Sequence, residues 1–408
     1  MRYILLSLQG IWRTCVFCLI SLLPRRSKLA VFGAWKGDRF CDNPKYMMLY
    51  LLENTDFTCV WVGKGYLRDQ MPHSRNFKFI GYGTWKAVWY AIRARYCFTC
   101  RWPEDISNIM WQGGAMRINL WHGIPLKYMG VKTPVALMRK HKYSFAETLR
   151  HKIFNSMRPS PNWTSTASKK MSQIMVECFP NDFDYARIWE WGTPRNDFIV
   201  CNRSNESLIG QLRDKYSRLL NFERGKKVVL YMPTWRMRGG RNFTFCGLSG
   251  DNRQAIEALL HNYNAVLIEK PHHVVLEEMR VDSMVSTNIS VIGSDMHNIV
   301  DPQELYLVSD MLITDYSSAY IDFALLKRPC IHFIYDYEAY RDSDSGLAYD
   351  LFNVAAGPCV RTYEDLIRMM GKMLARPQYA PAAGFNGLVA FEDGKCASRI
   401  AAFMKGAK

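Results

Sequence analysis

Short apolar runs closed by polar turns recur along this chain and alternate with stretches of helical period. Lys28–Ala34, Phe57–Val62, Phe77–Tyr82 and Arg117–Leu120 read as strands in the first half. Between them, Tyr46–Leu52 and Thr84–Ala94 repeat their apolar residues every three or four positions, as helices do. Asn43 followed by Pro44 is a helix start, a cap and then a first-turn proline. Trp163–Thr166 and Ala186–Trp189 add two more strands. From Phe198 to Lys226 the sequence turns polar and helical with no strand, and strands resume with Lys227–Met232 and Asn264–Glu269. Alternation of this kind predicts parallel sheets flanked by helices, a doubly wound α/β architecture. It divides the chain into an N-terminal helix (1–27), a first domain (28–205) and a second domain (206–408).

The pattern is clearest around one unit of strand, helix and strand. Ser309–Thr314 is apolar, Asp315-Tyr316-Ser317-Ser318 is a polar turn, Ala319–Lys327 is helical, and Pro329–Tyr335 is apolar again. Ser317 or Ser318 can cap the helix, and the free N–H groups of its first turn suit a phosphate. An ordinary cap is the plainer alternative. His122 ends the strand Arg117–Leu120 between Trp121 and Gly123, at the strand terminus where doubly wound domains place working residues. No G-x-G-x-x-G follows any strand, so a nicotinamide or flavin cofactor is not indicated.

Charge narrows the partners. Lysine and arginine total 53 against 37 acids, a net charge of +16, which calls for an anionic partner. Aromatic residues are not interleaved with the basic ones as in RNA-binding modules, so nucleic acid is set aside for a membrane surface or a phosphorylated substrate. Between Lys127 and Arg158 basic residues, Lys132, Arg139, Lys140 and Lys142 among them, are interspersed with apolar ones, as suits an anionic bilayer. Residues 1–23 are mostly apolar, but Gln9 and Arg13 interrupt them and Pro24-Arg25-Arg26 follows. This reads as an in-plane helix with a basic flank, or else as a first core helix. The 12 cysteines include Cys15/Cys18 and Cys97/Cys100 at metal-ligand spacing. The pairs are far apart in apolar runs, which favours buried thiols in a reducing compartment over a metal site.

Taken together, FGAWKGDRFCDNPKY, WHGIPLK, GTPRND, YMPTWR, KPHH and TDYSSAYIDFALLKRP occur in that order. In this the chain resembles the CDP-glycerol glycerophosphotransferase family of teichoic-acid and capsule enzymes, over about residues 28–370. The resemblance implies a GT-B-like fold, two Rossmann-like domains facing across a cleft, and peripheral attachment to the cytoplasmic face of the membrane. It implies transfer of glycerol phosphate from CDP-glycerol to a hydroxyl of a lipid-linked anionic acceptor, with release of CMP and without a cofactor. A CDP-ribitol-dependent transferase shares these motifs, and a nucleotide-sugar glycosyltransferase shares the architecture.

The same resemblance assigns roles. His122 is the general base, and His272, with His273 beside it, holds or protonates the pyrophosphate. Ser317 and Ser318 bind its oxygens, and Arg236 and Arg195 are charge clamps. Asp322 orients a histidine or binds a hydroxyl; Thr234, Asp315 and Glu338 complete the donor set. No metal ligand is expected.

Overall fold

Strand β1 (Arg26–Gly33) shows how the first sheet forms. Ala30 and Phe32 point into one layer and Leu29 and Val31 into the other, all of them buried. A strand apolar on both faces needs helices on both faces, and in a parallel sheet it gets them. The computed structural model describes residues 2–133, 162–234, 236, 243–271, 286, 288–293, 296, 298–343 and 346–406, with side chains from residue 10 onward. They form two compact units. The first comprises residues 1–122, 129–197 and 391–408, the second 123–128 and 198–390.

In the first unit, α1 (Arg2–Ser21) leads into β1, followed by α2 (Asp42–Asn54), β2 (Thr58–Gly63), β3 (Phe77–Gly81), α3 (Trp85–Arg93), β4 (Ala94–Thr99) and β5 (Met116–Asn119). The five strands are parallel in the order β3-β2-β1-β4-β5. A short parallel pair, β6 (Thr164–Ser165) with β7 (Ile188–Trp189), lies beyond β5, and Ile118 bridges to Trp163. At the end of β1 the backbones crowd: a Cβ on Gly33 would lie 2.1 Å from the Asp105 carbonyl oxygen, so only glycine fits.

The second unit carries β8 (Lys227–Met232), β9 (Ala265–Glu269), β10 (Ile289–Val291), β11 (Met311–Thr314), β12 (Cys330–Phe333) and β13 (Cys359–Val360). All are parallel, in the order β10-β9-β8-β11-β12-β13. In both sheets the order reverses beside the first strand, at β1/β4 and at β8/β11. In open α/β sheets, ligands bind at the carboxyl ends of such strands.

Three expectations are corrected. The helix after Asp315–Ser318 spans Ala319–Ala324 and stops short of Lys327, whose φ of +56° turns the chain toward β12. Asn43 does not cap its helix; α2 begins at Asp42 with Cys41 as N-cap, and the Asn43 side chain is used elsewhere. The last eighteen residues do not belong with the second domain. Helix Cys396–Gly406 packs Ile400, Ala401 and Met404 into the core of the first unit beside Met47 and Leu51. The Asp197 carboxylate accepts from Cys396 N (3.1 Å) and Ala397 N (2.7 Å), capping that helix.

Candidate active site

The end of β5 fixes His122 from several sides. Asn119 accepts from Trp121 N (3.1 Å) and donates to Arg101 O (2.6 Å). Trp121 has φ +58°, a left-handed conformation that costs a bulky residue about 1–2 kcal/mol. The strain turns the imidazole back toward the end of β4, where Nδ1 lies 3.3 Å from Cys100 O. A carbonyl only accepts, so Nδ1 carries the proton and Nε2 keeps its lone pair. The ring packs on Trp121 (4.6 Å between centroids) and against Trp35 (5.3 Å). Burial lowers its pKa to about 4, against the pull of Asp42, so the imidazole is neutral at pH 7.

A buried network holds this corner. Asn43 Nδ2 donates to Leu120 O (2.9 Å) and Trp121 O (3.0 Å), while its Oδ1 accepts from Arg195 N (3.0 Å). Arg195 Nη1 donates to Asp42 Oδ1 (2.9 Å) and to His122 O (2.6 Å). Asp42 also accepts from Trp35 Nε1 (2.6 Å). Nearby, the Asp105 carboxylate gathers the N–H groups of Lys36, Cys100, Arg101 and Trp102, tying the end of β1 to the end of β4.

The second unit builds a different cluster at β8 and β11. Thr234 N donates to both oxygens of Asp315 (2.9 and 3.1 Å). Arg236 bonds Asp315 Oδ2 (2.8 Å) and Thr234 O (2.7 Å) through Nη1, and grips Asp336 with Nε (2.7 Å) and Nη2 (3.0 Å). Its guanidinium lies 4.9–5.4 Å from the rings of Tyr316, Tyr335 and Tyr340. Burial opposes the charge, but Asp315 and Asp336 outweigh it and push the pKa up. Ser317 Oγ accepts from Ala319 N (3.3 Å), whereas Ser318 makes no capping bond; both side chains are partly exposed. Behind the turn, buried His332 receives Ala356 N at Nε2 (3.1 Å), so its Nδ1–H donates to Asp315 O (3.1 Å).

The model of the CDP-glycerol:poly(glycerophosphate) glycerophosphotransferase family matches residues 15–405. The chain belongs to this family. It is 31% identical over 374 residues to the teichoic acid poly(glycerol phosphate) polymerase of Bacillus spizizenii, covering 88% of this chain and 86% of that protein. To the teichoic acid glycerol-phosphate transferase of Staphylococcus aureus it is 28% identical, covering 94% of each. A solved structure of the wall teichoic acid polymerase TagF superposes with a TM-score of 0.73 at 22% identity, covering 98% of this chain and 96% of that one. The fold is thus the GT-B-like one, with two Rossmann-like domains.

Set against this family, the expected residues fall into groups. Thr234, Arg236, Asp315, Ser317 and Ser318 do come together at β8 and β11. Arg195 lies instead in the first unit, buried and engaged by Asp42 and the His122 backbone. Four of the five N–H donors of Arg236 are spent within the protein, so it organises the turn more than it offers charge. Asp322 is buried against Gln303 (3.3 Å), away from solvent. Glu338 is exposed and paired with Arg361 (2.8 Å). His272 and His273 lie outside the described residues, as do Arg139, Lys140 and Lys142. Lys132 is partly exposed and 3.3 Å from Glu177. Asp42, Asn43, Asp105, His332 and Asp336 were missed. The only signal for the first two was a polar pair at the head of an otherwise apolar helix, inside a motif already quoted.

Proposed function

We propose that this chain transfers glycerol phosphate from CDP-glycerol to a hydroxyl of a lipid-linked, anionic acceptor and releases CMP. Membership of the family makes CDP-glycerol the donor, and His122 supports the chemistry. Its Nε2 is unprotonated at neutral pH and its ring is fixed, so it can take the acceptor's proton as the oxygen attacks the β-phosphorus of the donor. Phosphoryl transfer asks the protein mainly to position reactants and neutralise charge. In this reading Ser317, Ser318 and the N–H groups behind them hold phosphate oxygens, and Arg236 with His332 keeps that turn rigid. The resemblance assigns His272 to the same phosphates. The transfer serves synthesis of a teichoic-acid or capsule-type polymer.

The enzyme works from the cytoplasmic face of the membrane, as a peripheral protein. Among the described residues no helix is long and apolar enough to cross a bilayer. The excess of basic residues supports attraction to anionic lipid and to the acceptor.

Purified protein given a lipid-linked acceptor and, in parallel, CDP-glycerol, CDP-ribitol or a UDP-hexose tests the assignment. Label carried in the glycerol moiety should enter the acceptor in step with CMP release. Faster transfer from CDP-ribitol would reassign the polyol, and transfer of the hexose would make the protein a glycosyltransferase.

A further inference from the structure

Helix α1 leaves an apolar stripe uncovered. Trp12 is 65% exposed, Leu19 65% and Leu22, just past the helix, 81%. These positions fall on one side of a helix, and the opposite side carries the packing. There Phe17 packs: a Cβ on Gly113 would come within 2.1 Å of its carbonyl oxygen, and the Arg117 guanidinium lies 5.5 Å from its ring. A second helix shows the same inversion. In α3, Ala87 and Ala91 are buried while Trp85 is 81% and Trp89 46% exposed. Large aromatics turned outward over small residues turned inward are the reverse of what core packing selects.

Arg25 bridges the ends of the two helices. Arg25 Nη2 donates to Ile20 O at the end of α1 (2.9 Å), and its Nη1 donates to Ala91 O (3.1 Å) and Ile92 O at the end of α3. The guanidinium of Arg26 lies 5.2 Å from the Trp89 ring. The stretches that carry both helices hold charge of one sign. Residues 1–37 contain no acid but include Arg13, Arg25 and Arg26, and residues 71–103 contain none but include Lys86 and Arg93.

We propose that α3, through Trp85 and Trp89, joins α1 in a docking surface for an anionic lipid interface. The proposal rests on the peripheral-membrane reading above and adds an element to it. Tryptophan suits the boundary between headgroups and acyl chains, and the surrounding cations attract the anionic headgroups. The charge identifies the occupant as lipid: a second copy of the chain would bring the same uncompensated positive charge to the contact.

The test is sedimentation of the full chain with vesicles of phosphatidylglycerol and phosphatidylcholine, and with phosphatidylcholine alone. Trp85→Ser/Trp89→Ser should weaken partitioning onto the anionic vesicles by roughly tenfold or more while the thermal midpoint stays unchanged. Trp12→Ser/Leu19→Ser/Leu22→Ser should do the same. Unaltered binding by the α3 variant, with loss in the α1 variant, would overturn the inference and leave the α1 anchor standing. Absence of binding by the unaltered chain would remove the membrane reading and this inference together. Equal binding to neutral vesicles, or self-association abolished by the α3 substitutions, would also overturn it.

Discussion

A histidine that acts as a base must keep one nitrogen bare, and at His122 the carbonyl of Cys100 arranges this by accepting from Nδ1. Its lowered pKa carries a kinetic consequence. A base is lost as pH falls through its pKa, so the acid limb of kcat/KM should centre at about 4, well below the 6.5 of an exposed imidazole. An acid limb at 6.5 or above would mean that another group titrates. His332 has the same tautomer but is buried behind the Asp315 turn, and there the effect is on stability. Burial lowers its pKa to about 4. Between pH 6.5 and 4 the unfolded chain binds a proton that the folded one does not, so acidification destabilises the fold, by roughly 3 kcal/mol at most for this group. His332→Gln should lose less stability between pH 7 and pH 4.5 than the unaltered chain, as read by urea unfolding. An equal loss would show that the histidine is not buried neutral.

Among the elements, the corner that carries His122 is built from three sequence-distant pieces: the start of α2, the end of β5 and the helix Pro194–Asn202. Asn43 joins them with three hydrogen bonds. Asn43→Ala strands two carbonyls and one N–H in the interior, so unfolding should become easier by about 2–4 kcal/mol. Turnover should fall as the His122 backbone loosens, and thermal melts beside initial rates check both. Most strands, their alternation with helices and the motif positions were legible in the sequence, because periodicity and turn chemistry are local; β4, β10 and β13 went unread. The jobs of the motif residues were not. Arg195 read as a phosphate clamp because an arginine after Gly-Thr-Pro gives no sign of Asp42, 153 residues away. Asn43 read as a cap because Asn-Pro has that local meaning, and only the tertiary fold diverts its side chain. Asp336 went unnoticed because its partner, Arg236, is a hundred positions earlier.

For the whole molecule, two parallel sheets of the same winding are the doubly wound architecture that the alternating pattern foretold, but the place where strand order reverses was not in that pattern. The composition of the units did not follow from it. A linear boundary near 205 overlooked the return of residues 391–408 to the first unit, which depends on the Asp197 cap and on Thr193 and Asn196 binding Glu392. Asp197→Ala should cost about 1 kcal/mol and raise hydrogen exchange in Cys396–Gly406 selectively. In the second unit, Arg236→Ala leaves Asp315 and Asp336 without their cation and should destabilise by about 3–5 kcal/mol in denaturant titrations.

If a neutral His122 is the base in glycerol phosphate transfer, its removal must show in CMP release at saturating CDP-glycerol. His122→Ala should lower that rate by roughly a hundredfold or more while donor binding stays nearly intact. A variant that keeps the unaltered rate at saturation and loses donor affinity instead would contradict it, and would make His122 a donor-binding residue.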